Sequence, residues 1–338
     1  MDLNGKTISE IGPFPEYSFL LQNKGTLTVM DSTDTDADGK NCGKLTACAA
    51  NPDPQGNPVY GNYTIDNYGV LTVNSGFIEN TTTGGYATYG INNMDDGKVE
   101  INGGRIYQIT TEAIRMGCNG GSTAENKVVI NGGSVESGAE GYRAIWIQYF
   151  SEQVAQKATL LIHGGCVVGA VNCSNGQNAI TNIQAQNLTI TVDSVDAEIV
   201  NSLQILQSVA QTANITVSMG RLGNFSDLAN SKYITGGYYN ADVSSFLKDG
   251  YYLIPNPDTS VQGKSGMVDV SGYKYKVGTE ASSAYGAKVV HSDKSETFYL
   301  TATSAADAAV SGETVVLLKD NEGKVLCDVG KTLTVDLN

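Results

Sequence analysis

The 338-residue chain is poor in histidine, tryptophan and basic residues, and each shortage excludes a class of function. Two histidines, His163 and His291, are too few for a histidine-rich zinc site. His163 also lies inside a repeated motif, which leaves a Ser-His-Asp triad with little support. With 21 basic and 35 acidic residues, the formal net charge is −14. Because like charges repel, we expect no binding to nucleic acid or to an anionic membrane surface.

The six cysteines form no C-x-x-C pair, so we expect neither a zinc ribbon nor a thioredoxin-type site. They are most simply small buried residues in a reduced chain, with a loop disulfide between Cys42 and Cys48 as the alternative. No run of about 18 apolar residues occurs, which predicts that nothing in this fragment spans a membrane. Hydrophobic residues make up 41% of the chain, enough to form a sizeable core.

A short motif recurs along the chain, in which alternating apolar residues are followed by Asn-Gly-Gly or a close relative. Clear copies occur at 71–78, 99–106, 128–135 and 160–167, with weaker ones at 27–31, 188–195 and 215–222. Alternation predicts a short half-buried strand, and the glycines predict a tight turn with positive φ. The turn glycines Gly76, Gly104, Gly133 and Gly165 are 28, 29 and 32 residues apart. Strands this short bury a face only when copies stack, so the pattern predicts a solenoid.

A second motif lies between the turns, at 113–116, 144–147 and 179–182, where an Ala-Ile pair recurs. Its alternation predicts that the isoleucines point inward. It also predicts that Gly90, Arg115, Trp146 and Thr181 form one outward row along the stack. The two motifs together predict a parallel β-helix, and an antiparallel sandwich is the structural alternative.

These units resemble the N-x-G-T-L-T-I-x-G-G-x-I coils of right-handed parallel β-helix proteins on bacterial cell surfaces, whose fold the pectate-lyase-like superfamily shares. Residues 234–251 resemble the closing coil of such proteins. The resemblance implies an all-β, right-handed parallel β-helix with coils of about 28–32 residues, and a secreted or cell-surface location. It implies little about activity, because that superfamily contains enzymes, adhesins and phage spikes.

Two regions are predicted: a β-helix over residues 1–255 and a small β-rich C-terminal segment over residues 256–338. The C-terminal segment contains one short helix, predicted at 304–310 with Ser304 as N-cap and Gly312 after its end. It resembles the opening of a following repeat. The chain ends in T-V-D-L-N and begins with M-D-L-N-G-K-T-I. Overlapped at the shared D-L-N, the two ends would read T-V-D-L-N-G-K-T-I, which resembles an early coil of the family. We therefore expect a fragment of a larger exported protein.

The sequence favours a non-catalytic surface module, a spacer or adhesin that presents one face to carbohydrate or a host protein. No catalytic residue is assigned. The sequence around Asp95-Asp96 is typical of a loop tip, and no second carboxylate recurs one coil away to complete the acid–base pair that a glycoside hydrolase needs. The candidate ligand-binding residues are Arg115 and Trp146, with Tyr142 and Tyr149 as their rim. A polysaccharide lyase or glycoside hydrolase of the same fold stays open as the alternative.

Asp34, Asp36 and Asp38, followed by Gly39, resemble the first half of an EF-hand calcium loop. Leu45 stands near the position of the bidentate glutamate that a complete loop needs. The pattern therefore predicts weak calcium binding, with a solvated acidic loop as the alternative. No other cofactor is expected.

Overall fold

The computed structural model describes residues 1–12, 17–49, 60–83, 86–117, 125–139, 142–148, 157–173, 188–205, 214–227, 232–279, 285–320 and 327–337. Short strands dominate the first part of the chain: β1 (Thr7–Gly12), β2 (Ser18–Asn23), β3 (Thr26–Val29), β4 (Lys44–Ala49), β5 (Tyr60–Asn67), β6 (Val70–Val73), β7 (Phe77–Asn80), β8 (Tyr86–Met94), β9 (Lys98–Ile101), β10 (Arg105–Gln108), β11 (Ile114–Gly117), β12 (Glu125–Ile130), β13 (Ser134–Ser137), β14 (Arg143–Ile147), β15 (Lys157–Ile162), β16 (Cys166–Val168), β17 (Ala170–Cys173), β18 (Leu188–Val192), β19 (Glu198–Ile205), β20 (Asn214–Val217), β21 (Arg221–Asp227) and β22 (Tyr238–Tyr239).

These strands form three parallel stacks, and successive coils add strands to them in turn. The first stack contains β3, β6, β9, β12, β15, β18 and β20. The second contains β1, β4, β7, β10, β13 and β16, the first residues of β19 and β21, and β22. The third contains β2, β5, β8, β11, β14 and β17 and the ends of β19 and β21. The predicted all-β parallel solenoid is confirmed, and the antiparallel sandwich is not the fold.

The interior of the solenoid is a column of aliphatic side chains held in register from coil to coil. In the first stack Ile101 pairs with Ile130, and Ile130 pairs with Ile162, and all three are fully buried. Each buried isoleucine contributes roughly 1.5–3 kcal/mol relative to an exposed one. Alternate residues point outward, so the fold depends on every second position of a strand.

The turns between the first and second stacks are built from the repeated glycines. Gly104, Gly133 and Gly165 have φ of +77°, +71° and +77°, which confirms the predicted tight turns. The turns also bond to one another, since Ser134 N–H donates to the Gly104 carbonyl at 2.9 Å. The glycines therefore form a column at this edge of the solenoid.

A second column, the inner asparagine ladder, runs through the corner between the third and first stacks and contains Asn23, Asn67, Asn93 and Asn126. Each side-chain amide donates to the amide oxygen of the next residue at 2.7–2.8 Å. All four are buried. Buried polar groups need partners, and the ladder supplies them from its own amides.

The rest of the chain contains a 3₁₀ turn (Ser244–Phe246), helix α1 (Ala302–Ala308) and the strands β23 (Tyr252–Pro255), β24 (Ser260–Gln262), β25 (Met267–Asp269), β26 (Tyr275–Gly278), β27 (Ala287–Val290), β28 (Glu296–Tyr299), β29 (Thr314–Leu317) and β30 (Thr334–Asp336). Strand β26 pairs antiparallel with β22 and β23, and β27 to β30 form a separate sheet that packs against α1.

The predicted short helix is present, but it begins earlier than expected. Thr301, not Ser304, is the N-cap, and its hydroxyl accepts from Ser304 N–H at 3.1 Å. Both residues suit a cap by type, and the chain uses the one that leaves Ala302, Ala305 and Ala306 facing the sheet. Among the described residues, no helix is both long and apolar enough to cross a membrane.

Candidate functional site

The third stack carries the residues predicted as a ligand-binding surface. Arg115 of β11 pairs directly with Trp146 of β14, so the two lie in adjacent coils as expected. The Gly90 position of the predicted row is wrong, because Asn92 of β8, not Gly90, pairs with Arg115. On the other side Asn172 pairs with Trp146, while Thr181 lies outside the described residues. The error is one of register, since β8 is longer than its neighbours and pairs with β11 through its last four residues only.

Trp146 points away from the aliphatic core, yet it is only 8% exposed. It belongs to a separate buried group with Tyr63 and Tyr89, whose rings stack 5.7 Å apart with an interplanar angle of 5°. The Arg143 guanidinium lies 4.3 Å from the Trp146 ring centroid. Arg115, also 8% exposed, lies 5.7 Å from the Tyr89 ring. We call these five residues the covered aromatic cluster.

Polar groups hold the arginines of this cluster in place. Arg115 donates to Gln148 Oε1 at 2.8 Å and to Asn92 Oδ1 at 2.9 Å. Arg143 forms an ion pair with Glu112, which is 3% exposed. Burial raises the pKa of the Glu112 carboxyl, and burial likewise raises the pKa of Tyr63 to about 12. The cluster therefore behaves as a polar-lined secondary core.

The predicted rim of this surface is only partly described. Tyr142 is 44% exposed, whereas Tyr149 lies outside the described residues. A binding role for Arg115, Trp146, Tyr142 and Tyr149 stays a prediction.

A second group, which the sequence analysis missed, lies on the outer side of the second stack. Lys44, Phe77 and Arg105 stand in register on three successive coils. The Arg105 guanidinium lies 5.0 Å from the ring centroids of both Phe77 and Tyr107, and Lys44 Nζ lies 5.6 Å from that of Phe77. All four residues are partly exposed. We call Lys44, Phe77, Arg105 and Tyr107 the cation–aromatic face.

Carboxylates complete this face. Glu79 pairs with Lys44 at 3.2 Å, and Glu136 accepts from Arg105 Nε at 3.0 Å and from Nη2 at 2.5 Å. Each cation is therefore matched by one carboxylate. A signal for this face was present in the sequence, because Phe77 and Arg105 each directly follow a turn glycine of the repeat.

The acidic loop, residues 31–43, folds against the glycine turns beside this face. One carboxylate oxygen from each of Asp34, Asp36 and Asp38 lies within 4.8 Å of the others. Ala37 O accepts from Gly104 N–H at 2.6 Å, which fixes the loop to the turn that precedes Arg105. Burial, followed by the nearby carboxylates, raises the pKa of the Cys42 thiol to about 11. Cys42 and Cys48 are both free thiols, so the alternative of a disulfide between them is wrong.

The remaining candidates for acid–base chemistry have local partners. His163 pairs with Asp193 at 2.7 Å, and His291 pairs with Glu313 at 2.6 Å. In the Asp95-Asp96 turn, Asp95 has φ of +52° and Asp96 accepts from Glu125 N–H at 3.0 Å. These contacts agree with a turn rather than a catalytic pair.

Comparison with known proteins gives no relative from which to transfer a role. No family model matches the chain. No curated protein matches it, and no solved structure does. The fold is therefore known from its own geometry, and a function has to be argued from the side chains.

Proposed function

We propose that this chain is a non-catalytic, extracellular or cell-surface module that binds carbohydrate on the cation–aromatic face. Within this proposal, the right-handed β-helix of bacterial surface proteins is the family that the repeats resemble. The observation that carries the proposal is the placement of Lys44, Phe77 and Arg105 on successive coils, about 4.8 Å apart along the stack, with their side chains partly exposed. Because these residues lie on strands that are already ordered in the free protein, binding orders little additional backbone and costs little conformational entropy.

The chemistry of this face suits a sugar ring. A pyranose has an apolar C–H face and a polar hydroxyl rim, and protein sites match the two with aromatic rings and hydrogen-bonding groups. Phe77 and Tyr107 supply the rings. Arg105 supplies donors, while Glu79 and Glu136 supply acceptors. Because cations and carboxylates are paired one to one, a neutral sugar fits better than an acidic one.

Hydrolysis at this face is a poorer fit. A glycoside hydrolase needs one carboxyl group to donate a proton and a second to act as base or nucleophile. Glu79 and Glu136 are instead each tied to a cation. The face therefore favours recognition.

A carbohydrate-active enzyme remains the second candidate function, and Glu112 favours it. A general acid needs a raised pKa, and burial raises the pKa of the Glu112 carboxyl. Its ion pair with Arg143 opposes this effect, as the pairing of Glu79 and Glu136 with cations does, so Glu112 is a weaker basis than the cation–aromatic face. Assays for reducing ends and for unsaturated products on a polysaccharide panel test this function. Turnover that Glu112→Gln abolishes would replace the proposal of a non-catalytic module.

The binding proposal is tested on a glycan array, followed by titration calorimetry with the best oligosaccharide. Tyr107→Ala removes one ring, and losing a stacking contact of about 1.5 kcal/mol weakens binding roughly tenfold. Tyr142→Ala is the matched control, because it removes an exposed tyrosine outside the face. Melting curves of both variants show whether the fold is kept.

Three results would overturn the proposal. Binding that survives Tyr107→Ala but is lost in Tyr142→Ala would move the site to the surface predicted around Arg115 and Trp146, whose rim contains Tyr142. Binding that both variants keep would move it elsewhere. An absence of glycan binding, together with saturable binding of a host surface protein, would replace carbohydrate with protein as the ligand.

A further inference from the structure

The acidic loop contains a buried polar atom that has no partner. Asp34 is 6% exposed. Its Oδ2 accepts hydrogen bonds from Gly39 N–H at 3.1 Å and Gly76 N–H at 2.8 Å. Its Oδ1 is buried and accepts no hydrogen bond from the described residues. A carboxylate oxygen removed from water without a partner costs free energy, so this atom is suited to a ligand that offers positive charge.

Two more carboxylates lie close to that of Asp34. One oxygen each from Asp34, Asp36 and Asp38 lies within 4.8 Å of the others. Two oxygens bound to one calcium ion at about 2.4 Å lie at most about 4.8 Å apart, so the spacing is compatible with a shared ion. All three ligands are hard oxygen atoms, the type that calcium prefers to nitrogen or sulfur.

We propose that the acidic loop binds one calcium ion through Asp34, Asp36 and Asp38. Gly39, with φ of +69°, makes the sharp turn after the third aspartate, as the glycine at the sixth position of an EF-hand does. The loop bonds to the turn beside Arg105, so the ion would stabilise one border of the cation–aromatic face. The proposal does not depend on carbohydrate binding, since it concerns the loop alone.

The site is weaker than a complete EF-hand for two reasons. Leu45 stands near the place of the bidentate glutamate and is fully buried in the core. Lys40 Nζ lies 3.0 Å from Asp38 Oδ2 and competes with a cation for that carboxylate. We therefore expect a dissociation constant of about 10⁻⁴–10⁻³ M, the range of extracellular calcium modules.

The test is titration calorimetry of calcium chloride into chelator-treated protein at low ionic strength, with magnesium chloride in a parallel arm. Wild type binds one calcium ion, and magnesium binds more weakly, because it loses its water reluctantly. Asp36→Asn removes an exposed ligand and weakens calcium binding about tenfold or more, because affinity follows the ligand charge. Lys40→Gln removes the competing charge, so it tightens binding. Asp320→Asn, which removes an exposed acidic charge far along the chain, leaves the affinity unchanged.

Several results would overturn this assignment. The first is no heat from wild type at about 10 mM calcium, well above the expected range. The second is an equal affinity in Asp36→Asn and wild type, with both folded by circular dichroism. The third is an equal loss in Asp320→Asn, which would mean a diffuse attraction to the acidic chain. A Lys40→Gln variant that binds more weakly would also contradict the competition between lysine and calcium.

Discussion

Replacing Gly133 with alanine tests the glycine column, and we expect it to destabilise the solenoid strongly. An L-residue at φ of +71° carries a backbone cost of about 1–3 kcal/mol. The new Cβ would lie 2.5 Å from Gly104 O and 2.7 Å from Gly103 C, which are backbone atoms of the preceding coil. Neither can move without shifting the stack, and overpacking adds about 1–3 kcal/mol. The expected loss is therefore about 2–6 kcal/mol.

Two other glycines separate the causes of this loss. Gly250 has φ of +86°, and a Cβ added there would meet no described atom within 4 Å, so Gly250→Ala carries the backbone cost alone. Gly25 has neither a positive φ nor a close neighbour among the described residues, so Gly25→Ala should be near neutral or slightly stabilising. In order of decreasing unfolding free energy, the variants should be Gly25→Ala, Gly250→Ala and Gly133→Ala.

The assay is urea unfolding followed by far-UV circular dichroism, with midpoints compared at equal m values. Equal m values are necessary because a solenoid can unfold in sections, and a variant that does so exposes less surface in each transition and has a lower m value. If Gly133→Ala loses no more than Gly250→Ala, the close contact between coils does not constrain the turn. If both variants are as stable as wild type, the argument from positive φ fails as well.

Three further predictions concern other parts of the chain. Asn93→Ala, in the inner asparagine ladder, should cost about 1–3 kcal/mol in urea unfolding, because it removes the hydrogen bond that Asn93 donates to the buried Asn126 Oδ1 and the one that it accepts from Asn67. Asn102→Ala, in an exposed amide row, should cost under about 0.5 kcal/mol. A hydrogen bond from the Lys276 ammonium lowers the pKa of Asp258 in the folded protein. The stabilisation that ionised Asp258 gives the fold is therefore fully present above the usual aspartate pKa, and it is lost as the pH falls through the lowered value. Asp258→Asn should therefore flatten the fall in stability below about pH 4, and an unchanged slope would contradict this. Thr301→Ala should cost about 1 kcal/mol by removing the N-cap of α1, and a loss confined to Ser304→Ala would reassign the cap.

The stacking of the coils could be predicted because its signals are local. Alternating apolar residues and a glycine turn recur in each coil, and they imply the strand, the turn and the inward face at once. The first-stack outward row of Thr72, Glu100, Val129 and Leu161 is paired as the repeat spacing predicts. Here the strands directly precede the glycine turn, which provides a fixed reference for counting.

Register in the third stack could not be predicted in the same way. The segment before β11 has no glycine turn of the repeat, and the strands before it differ in length. Counting from the Ala-Ile motif therefore placed Gly90 opposite Arg115, two residues from the true partner Asn92. In the observed register Ile91 lies next to Ile114, and both are fully buried in the core.

The burial of Trp146 shows a different limit of sequence reasoning. Alternation correctly predicts that its side chain points away from the aliphatic core. Whether an outward side chain is accessible depends on what covers it, and its cluster partners Tyr63 and Tyr89 come from other coils. Those partners are more than 50 residues away in sequence, so no local pattern indicates them.

These differences follow from how a parallel stack is held together. Its coils are joined by backbone hydrogen bonds and by the inward side chains, and neither depends on the outward residues. Outward positions therefore vary freely, from Thr72 to Leu161 in one row and from Asn92 to Trp146 in another. Function in such a molecule belongs to the outward residues, and a repeat that predicts the fold well says little about them. A substitution that removes binding and leaves the unfolding midpoint unchanged is consequently the most direct evidence for a functional face.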